Sequence, residues 1–194
     1  MNVVIMVGTT GAGKSTHGKL LAEKYGYSYV SSGAIARSLM DENTARSFAS
    51  GGLSPHDDAI TDAIKERFSG EMLGIVLDGF PRNEYHVEKL RSWANIVGAN
   101  IRVIYINVPM PLIKERILSR HRDEFDTEEA LAGRHEIFLK ETFPIINRLV
   151  WEFKYPAIEV ALTQERPIDE IQTMVDTAYR TELSKGEWRV FRVC

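Results

Sequence analysis

The chain has 194 residues, 44% hydrophobic and 26% charged, with a net charge of −3. That is ordinary globular composition for one domain; it argues against disorder and excludes a protein drawn to nucleic acid by its overall charge. The single cysteine, Cys194, excludes an intrachain disulfide and a four-cysteine zinc site.

Asn2–Val7 (NVVIMV) is a β-branched apolar run stopped by Gly8, and it reads as a buried strand. Lys14–Tyr25 follows as a helix, with Leu20, Leu21 and Tyr25 at helical spacing. Tyr27–Val30 is a short second strand. The stretch 33–70 is long for one crossover and predicts a small helical insertion. Within it Ser54 is placed to cap a helix, Pro55 takes the first helical position and Asp57 completes an S-x-x-D box. Ile60, Ala63, Ile64 and Phe68 then share one face. Gly74–Leu77, ending at Asp78, is a third strand, and Glu84–Ala94 a helix. Arg102–Val108 is a fourth strand and Pro111–His121 another helix. Arg120–Glu129 is polar and charged and reads as a surface loop. A long helical pattern runs from about Glu128 to Phe153, with a kink expected at Pro144. Ala157–Leu162 is a fifth strand, and Ile168–Leu183 closes the pattern as a helix.

Apolar strands separated by helices predict a doubly wound α/β fold, a five-stranded parallel sheet covered on both faces. No linker rich in Pro, Gly or Ser divides the chain, so residues 1–194 are expected to form a single domain. Residues 184–194 fit an extra strand, an oligomer contact or a disordered end. No apolar run approaches the roughly 18 residues of a membrane-spanning helix, and the N-terminus has no basic leader region. A cytoplasmic protein that engages neither membrane nor nucleic acid is expected. His17, His56, His121 and His135 show no metal-ligand spacing and are read as surface histidines, and Trp93 and Trp151 as packing residues.

The chemistry is carried by Gly8-Thr9-Thr10-Gly11-Ala12-Gly13-Lys14-Ser15, which matches the phosphate loop G-x-x-x-x-G-K-[ST]. Glycines let successive backbone N–H groups turn toward one anion, and the following helix adds its positive end. Lys14 can reach the β- and γ-phosphates, and the Ser15 hydroxyl can hold Mg²⁺. ATP or GTP binding with Mg²⁺ follows. The strand ending at Asp78 is similar to a Walker B strand, whose terminal carboxylate assists the Mg²⁺ shell.

The run Asp78-Gly79-Phe80-Pro81-Arg82 resembles the signature of nucleoside monophosphate kinases of the adenylate kinase and UMP/CMP kinase type. The likeness extends over roughly residues 1–183. It includes the stretch from Lys24 to Arg37, GGLSP before the insertion helix, ERILSR from Glu115 to Arg120, Arg134, and TFPII from Thr142 to Ile146. The resemblance implies strand order 2-3-1-4-5 and two facing nucleotide sites. For ATP it implies Gly8, Gly11, Ala12, Gly13, Lys14, Ser15 and Thr16, with Arg116 against the base. For the acceptor nucleotide it implies Ser32, Gly33, Arg37, Gly79 and Arg82, with 33–70 as the acceptor flap. Lys14, Arg82, Arg120, Arg122 and Arg134 are the implied catalytic cations, 121–134 a short lid, and Ser15 and Asp78 the Mg²⁺ site.

Some positions differ from that family. Thr10 and Ser15 stand where proline and glycine are usual, and Ala34 replaces a common acidic residue. His86 occupies the position where adenylate kinases place a base-reading glutamine; it either reads the acceptor base or packs. Asn83 leans toward the pyrimidine enzymes. A monomer acting on small-molecule nucleotides is implied, with AMP favoured and CMP, UMP or a deoxynucleotide close behind. The alternatives are a P-loop kinase of another small molecule and a catalytically silent nucleotide-binding module.

Overall fold

The computed structural model describes residues 1–41, 56–68, 73–120 and 127–193. The expected cap Ser54, Pro55, the GGLSP run, Arg122 with most of the Arg120–Glu129 loop, and Cys194 lie outside the described residues.

The elements follow the alternation in chain order: β1 (Asn2–Val7), α1 (Lys14–Tyr25), β2 (Ser28–Ser31), α2 (Ser32–Ser38), α3 (Asp57–Phe68), β3 (Gly74–Asp78) and α4 (Glu84–Ile96). Then come β4 (Asn100–Asn107), α5 (Met110–Arg120), α6 (Glu128–Ile137), α7 (Phe143–Trp151), β5 (Ala157–Leu162), α8 (Ile168–Arg180) and β6 (Trp188–Val193). Every pairing in the sheet is parallel, in the order β2-β3-β1-β4-β5-β6.

Central strands of such a sheet are apolar on both faces, and alternate residues supply two separate cores. Val3, Ile5, Ile75, Leu77 and Val103 pack against α3, α4 and α7 on one side. Val4, Met6, Val76, Ile104 and Ile106 meet Leu21 of α1, Ile113 and Ile117 of α5, and Ile171 and Val175 of α8 on the other.

The sheet has six strands, one more than expected. The tail forms β6, with Trp188 opposite Ala157 and Val193 opposite Leu162. Trp188 anchors it edge-on to Tyr105, ring centroids 6.3 Å apart. The long helix expected over 128–153 is divided. Residues 138–142 form a π-turn, and Pro144 sits in the first turn of α7. Proline has no N–H to give the carbonyl four residues back and its ring crowds that carbonyl, so the wider turn accommodates it. Helix α8 stops at Arg180, short of the expected Leu183. There the Arg102 guanidinium donates to the carbonyl oxygens of Tyr179 and Thr181, the latter at 2.8 Å, satisfying groups that a helix end leaves open.

Strand register positions the site. Met6 of β1 and Ser31 of β2 both lie opposite Asp78 of β3. The segments leaving the carboxyl ends of three adjacent strands therefore meet around Asp78, where open α/β sheets bind ligands. Among the described residues no helix is long and apolar enough to cross a membrane.

Candidate active site

The loop from Gly8 to Gly13 wraps the start of α1. Gly11 has φ +85°, and a Cβ there would stand 2.8 Å from Ile117 Cδ1 and 2.9 Å from Ile113 Cγ2. Only glycine fits both the backbone and α5 behind it. Gly11→Val is expected to lower ATP affinity by more than about tenfold, read by calorimetric titration, because the loop must move off α5. Gly13 caps α1 with no side-chain bond, so the first helical N–H groups have no side-chain acceptor at the cap. Lys14 folds back over the loop, and its Nζ donates to the Thr9 carbonyl at 2.8 Å. Burial pushes the Lys14 pKa down, Asp78 opposes this, and Arg82 adds to it.

Asp78 is buried, and its Oδ2 accepts from Ser15 Oγ at 2.5 Å and from the Tyr29 hydroxyl at 2.6 Å. Burial, then the Asp78 charge, pushes the Tyr29 phenol up, so it remains a donor. Tyr29 is a site residue that sequence reading missed, because it falls at an unspecified position inside the Lys24–Arg37 stretch. The Ser15 hydroxyl and the Asp78 carboxylate are hard oxygen donors side by side. They fit Mg²⁺, which keeps most of its waters and takes one or two protein oxygens. Among the described residues no cluster of three or more His, Cys, Asp or Glu could hold a metal alone.

Next to the loop lies a second group. Ser32 Oγ donates to the carbonyls of Asp78, at 3.4 Å, and Gly79. Arg82 Nε donates to the Gly79 carbonyl at 2.7 Å, which fixes the guanidinium. A Cβ at Gly33 would stand 3.4 Å from Arg82 Nη2 and 3.5 Å from Arg37 Nη1. At Gly79, which has φ +72°, it would stand 2.8 Å from Arg82 Nη2 and 3.0 Å from Ser32 Oγ. Ser32, Gly33, Arg37, Gly79 and Arg82 are thus one cluster, with two guanidinium groups converging over glycine. Burial pushes the Arg82 pKa down, Asp78 raises it and Arg37 lowers it again. Like charges held together in this way are a receptor for a multiply charged anion.

Among the described residues, the remaining expected ones lie on α1, α5 and α6. Arg116 of α5 is 9% exposed, and its Nε donates to Glu165 Oε2 at 2.7 Å, in the segment between β5 and α8. Arg120 ends α5, and Arg134, half-buried, lies on α6. Thr16 is half-buried in the first turn of α1.

One histidine departs from expectation, and a second had two readings open. His17, read as a surface residue, is 3% exposed, and its Nδ1 lies 3.0 Å from Gln172 Oε1 of α8. It faces inward because α1 is sandwiched between the sheet and α8. His86 is 2% exposed, and its Nδ1 accepts the Arg82 backbone N–H at 3.2 Å. Its Nε2 lies 3.2 Å from Asp57 Oδ1. In this conformation the ring has almost no surface to offer a base. Burial pushes both imidazoles down, and nearby arginines, Arg116 for His17 and Arg82 for His86, add to this. Gln172 opposes the shift at His17, and Asp57 opposes it at His86. A histidine with a depressed folded pKa stabilises fully above its unfolded value, about 6.5, and this is lost as pH falls toward the folded value. Urea unfolding is expected to show a plateau above about pH 6.5 and a decline below it that is shallower in His17→Gln.

The family model described as adenylate kinase matches residues 6–152, more than half of the chain. The chain is 31% identical over 180 residues to adenylate kinase 1 of a Nostoc species, covering 89% of this chain and 97% of that one. It is 30% identical over 154 residues to an adenylate kinase of Oenococcus oeni, covering 74% and 81% of the two chains. An adenylate kinase of Prochlorococcus marinus is 28% identical over 150 residues, covering 74% and 82%. Phosphate loop, Asp78 carboxylate and convergent arginines agree with these matches, and the chain belongs to the adenylate kinase family of nucleoside monophosphate kinases, phosphotransferases between ATP and a nucleoside monophosphate.

Proposed function

We propose that the chain carries out reversible, Mg²⁺-dependent transfer of the ATP γ-phosphoryl group to a nucleoside monophosphate, with AMP as the favoured acceptor. The observation that carries this reading is the convergence of the Arg37 and Arg82 guanidinium groups over Gly33, beside the phosphate loop.

The reaction brings two anionic phosphates into line. The attacking oxygen belongs to a phosphate with a second pKa near 6, so it is largely deprotonated at neutral pH and needs little help from a base. What the protein must supply is positive charge and position. The loop N–H groups of Gly8, Gly11, Ala12, Gly13, Ser15 and Thr16, with Lys14, hold the donor phosphates. Arg116 lies against the donor base. Ser32, Gly33, Arg37, Gly79 and Arg82 hold the acceptor phosphate. Arg120, Arg122 and Arg134 bracket the group in transfer. Arginine suits these roles because its planar fork binds phosphate bidentately and keeps its charge. Ser15 and Asp78 would hold Mg²⁺, which supplies charge neutralisation on the donor phosphates.

AMP is favoured because the relatives are named adenylate kinases and the S-S-G-x-x-x-R stretch resembles theirs. The reading includes a cytoplasmic monomer acting on free nucleotides. It is tested by ADP formation from Mg²⁺-ATP with AMP, CMP, UMP, GMP, dTMP and their deoxy or ribo counterparts. AMP is expected to give the highest kcat/KM. A different strong acceptor would overturn the base assignment, and no acceptor above the ATP-only background would overturn transfer itself.

A further inference from the structure

We infer that Asp57 and His86 are positioning residues, a latch that ties the insertion helix α3 to the backbone of the acceptor-phosphate arginine, Arg82. The inference rests on the transfer reaction proposed above, and gives His86 a role other than base recognition.

Asp57 is the first residue of α3, and the first turn of α4 takes its carboxylate at both oxygens. Asn83 Nδ2 donates to Oδ2 at 2.7 Å, and His86 Nε2 lies 3.2 Å from Oδ1. Asn83 meanwhile caps α4, its Oδ1 accepting the His86 N–H at 2.9 Å. The other ring nitrogen, Nδ1, accepts the Arg82 backbone N–H. That bond requires an unprotonated Nδ1, so the neutral ring carries its proton on Nε2, toward Asp57. One imidazole thus links the backbone of the phosphate-gripping residue to a carboxylate on the flap. The Arg82 guanidinium is separately fixed by the Gly79 carbonyl.

The surroundings reinforce the link. The Tyr85 hydroxyl donates to Asp58 Oδ1, the next residue of α3. The His86 ring packs on Phe80 at 4.7 Å between centroids, Phe80 stacks on Trp93, and Trp93 meets Phe68 at the far end of α3 at 5.5 Å. Helix α3 is therefore held to α4 at both ends, polar at its start and aromatic at its finish.

The His86–Asp57 contact is close but not aligned as a full hydrogen bond. A buried N–H near a carboxylate but off its axis leaves bond strength unused. The latch thus fixes the backbone of the acceptor-phosphate arginine relative to helix α3. Protonation of His86 would break it, since Nδ1 could no longer accept from Arg82. The charged groups facing the ring are Asp57 from α3 and Arg82 from the preceding loop.

The test is steady-state kinetics with AMP and Mg²⁺-ATP on the full chain, comparing wild type, Asp57→Asn, His86→Gln and the double variant. Asp57 is partly exposed and asparagine matches its shape, so Asp57→Asn is expected to fold, which thermal unfolding checks. Asp57→Asn is expected to raise the AMP KM about tenfold, with ATP KM within about twofold and kcat within about threefold. The double variant is expected to be no worse than the poorer single one, because both changes break one link. An AMP KM within about twofold of wild type in a folded Asp57→Asn overturns the latch while transfer stands. Effects that multiply in the double variant also overturn it, as does equal loss in both substrates' KM. Absence of AMP phosphorylation by wild type would instead strike the underlying function.

Discussion

Arg82→Ala is expected to lower kcat/KM for the nucleotide acceptor by at least about 10³-fold while ATP affinity stays within about twofold. The asymmetry follows from where the side chain sits. Its Nε is bound to the Gly79 carbonyl and its Nη2 lies over Gly33 and Gly79, beside Arg37. Nothing in that cluster belongs to the phosphate loop. Bringing two guanidinium groups together costs free energy in the free protein, and an arriving phosphate returns it. Truncating one leaves Arg37 alone, a monodentate or single-fork grip on a group that must be aligned with the donor. Loss of alignment and loss of charge both act on the transition state, so kcat should fall along with acceptor affinity. Arg82→Lys separates the two. It keeps the charge but not the fork, and is expected to recover less than about a tenth of the lost rate. ATP titration by calorimetry together with acceptor kinetics decides the matter. Normal acceptor turnover in Arg82→Ala would show that the arginine cluster is not the acceptor site.

The parts of this arrangement legible in the sequence are those governed by local rules. NVVIMV followed by a glycine-rich loop and Lys14 leaves few options: a buried strand must end where the chain turns to start a helix. The DGFPR run is equally local, and both places fall in one site because β1 and β3 are neighbours in the sheet. Contacts made across long separations carry no local signature. Asp57 and Asn83 are 26 residues apart and His17 and Gln172 are 155 apart, so the burial of His17 and the sharing of Asp57 by α4 depend on tertiary packing. His86 illustrates the limit. Its place four residues after Arg82 leaves base reading and packing both open, and its contact with Asp57 on a different element has no local signature. Strand β6 was open for another reason. WRVFRV is apolar enough for a strand, but an edge strand with one neighbour needs something to hold it, and Tyr105 and β5 supply that only in three dimensions.

Asp78→Asn is expected to lower kcat by about 10²–10³-fold and to destabilise the protein by about 1–3 kcal/mol. This one carboxylate does three things. It accepts the Ser15 and Tyr29 hydroxyls on a single oxygen, it raises the pKa of Lys14 and of Arg82 against the burial that lowers them, and it lies opposite Met6 and Ser31 where three strands end. Asparagine retains the size but not the charge. Two cations in a partly desolvated cleft then lose their counter-ion, and an amide must satisfy two hydroxyl donors that had shared a carboxylate oxygen. Tyr29→Phe removes one of those hydrogen bonds and leaves the charge, and is expected to cost less than about tenfold in kcat. The contrast identifies the electrostatic part. The dependence of rate on Mg²⁺ concentration adds a second readout. If Asp78 helps hold the ion, half-maximal activity in Asp78→Asn moves to higher Mg²⁺, whereas in Tyr29→Phe it stays near the wild-type value. Equal losses in the two variants would mean that Asp78 acts through packing of the strand ends, and the charge would then have no part in positioning donor and acceptor.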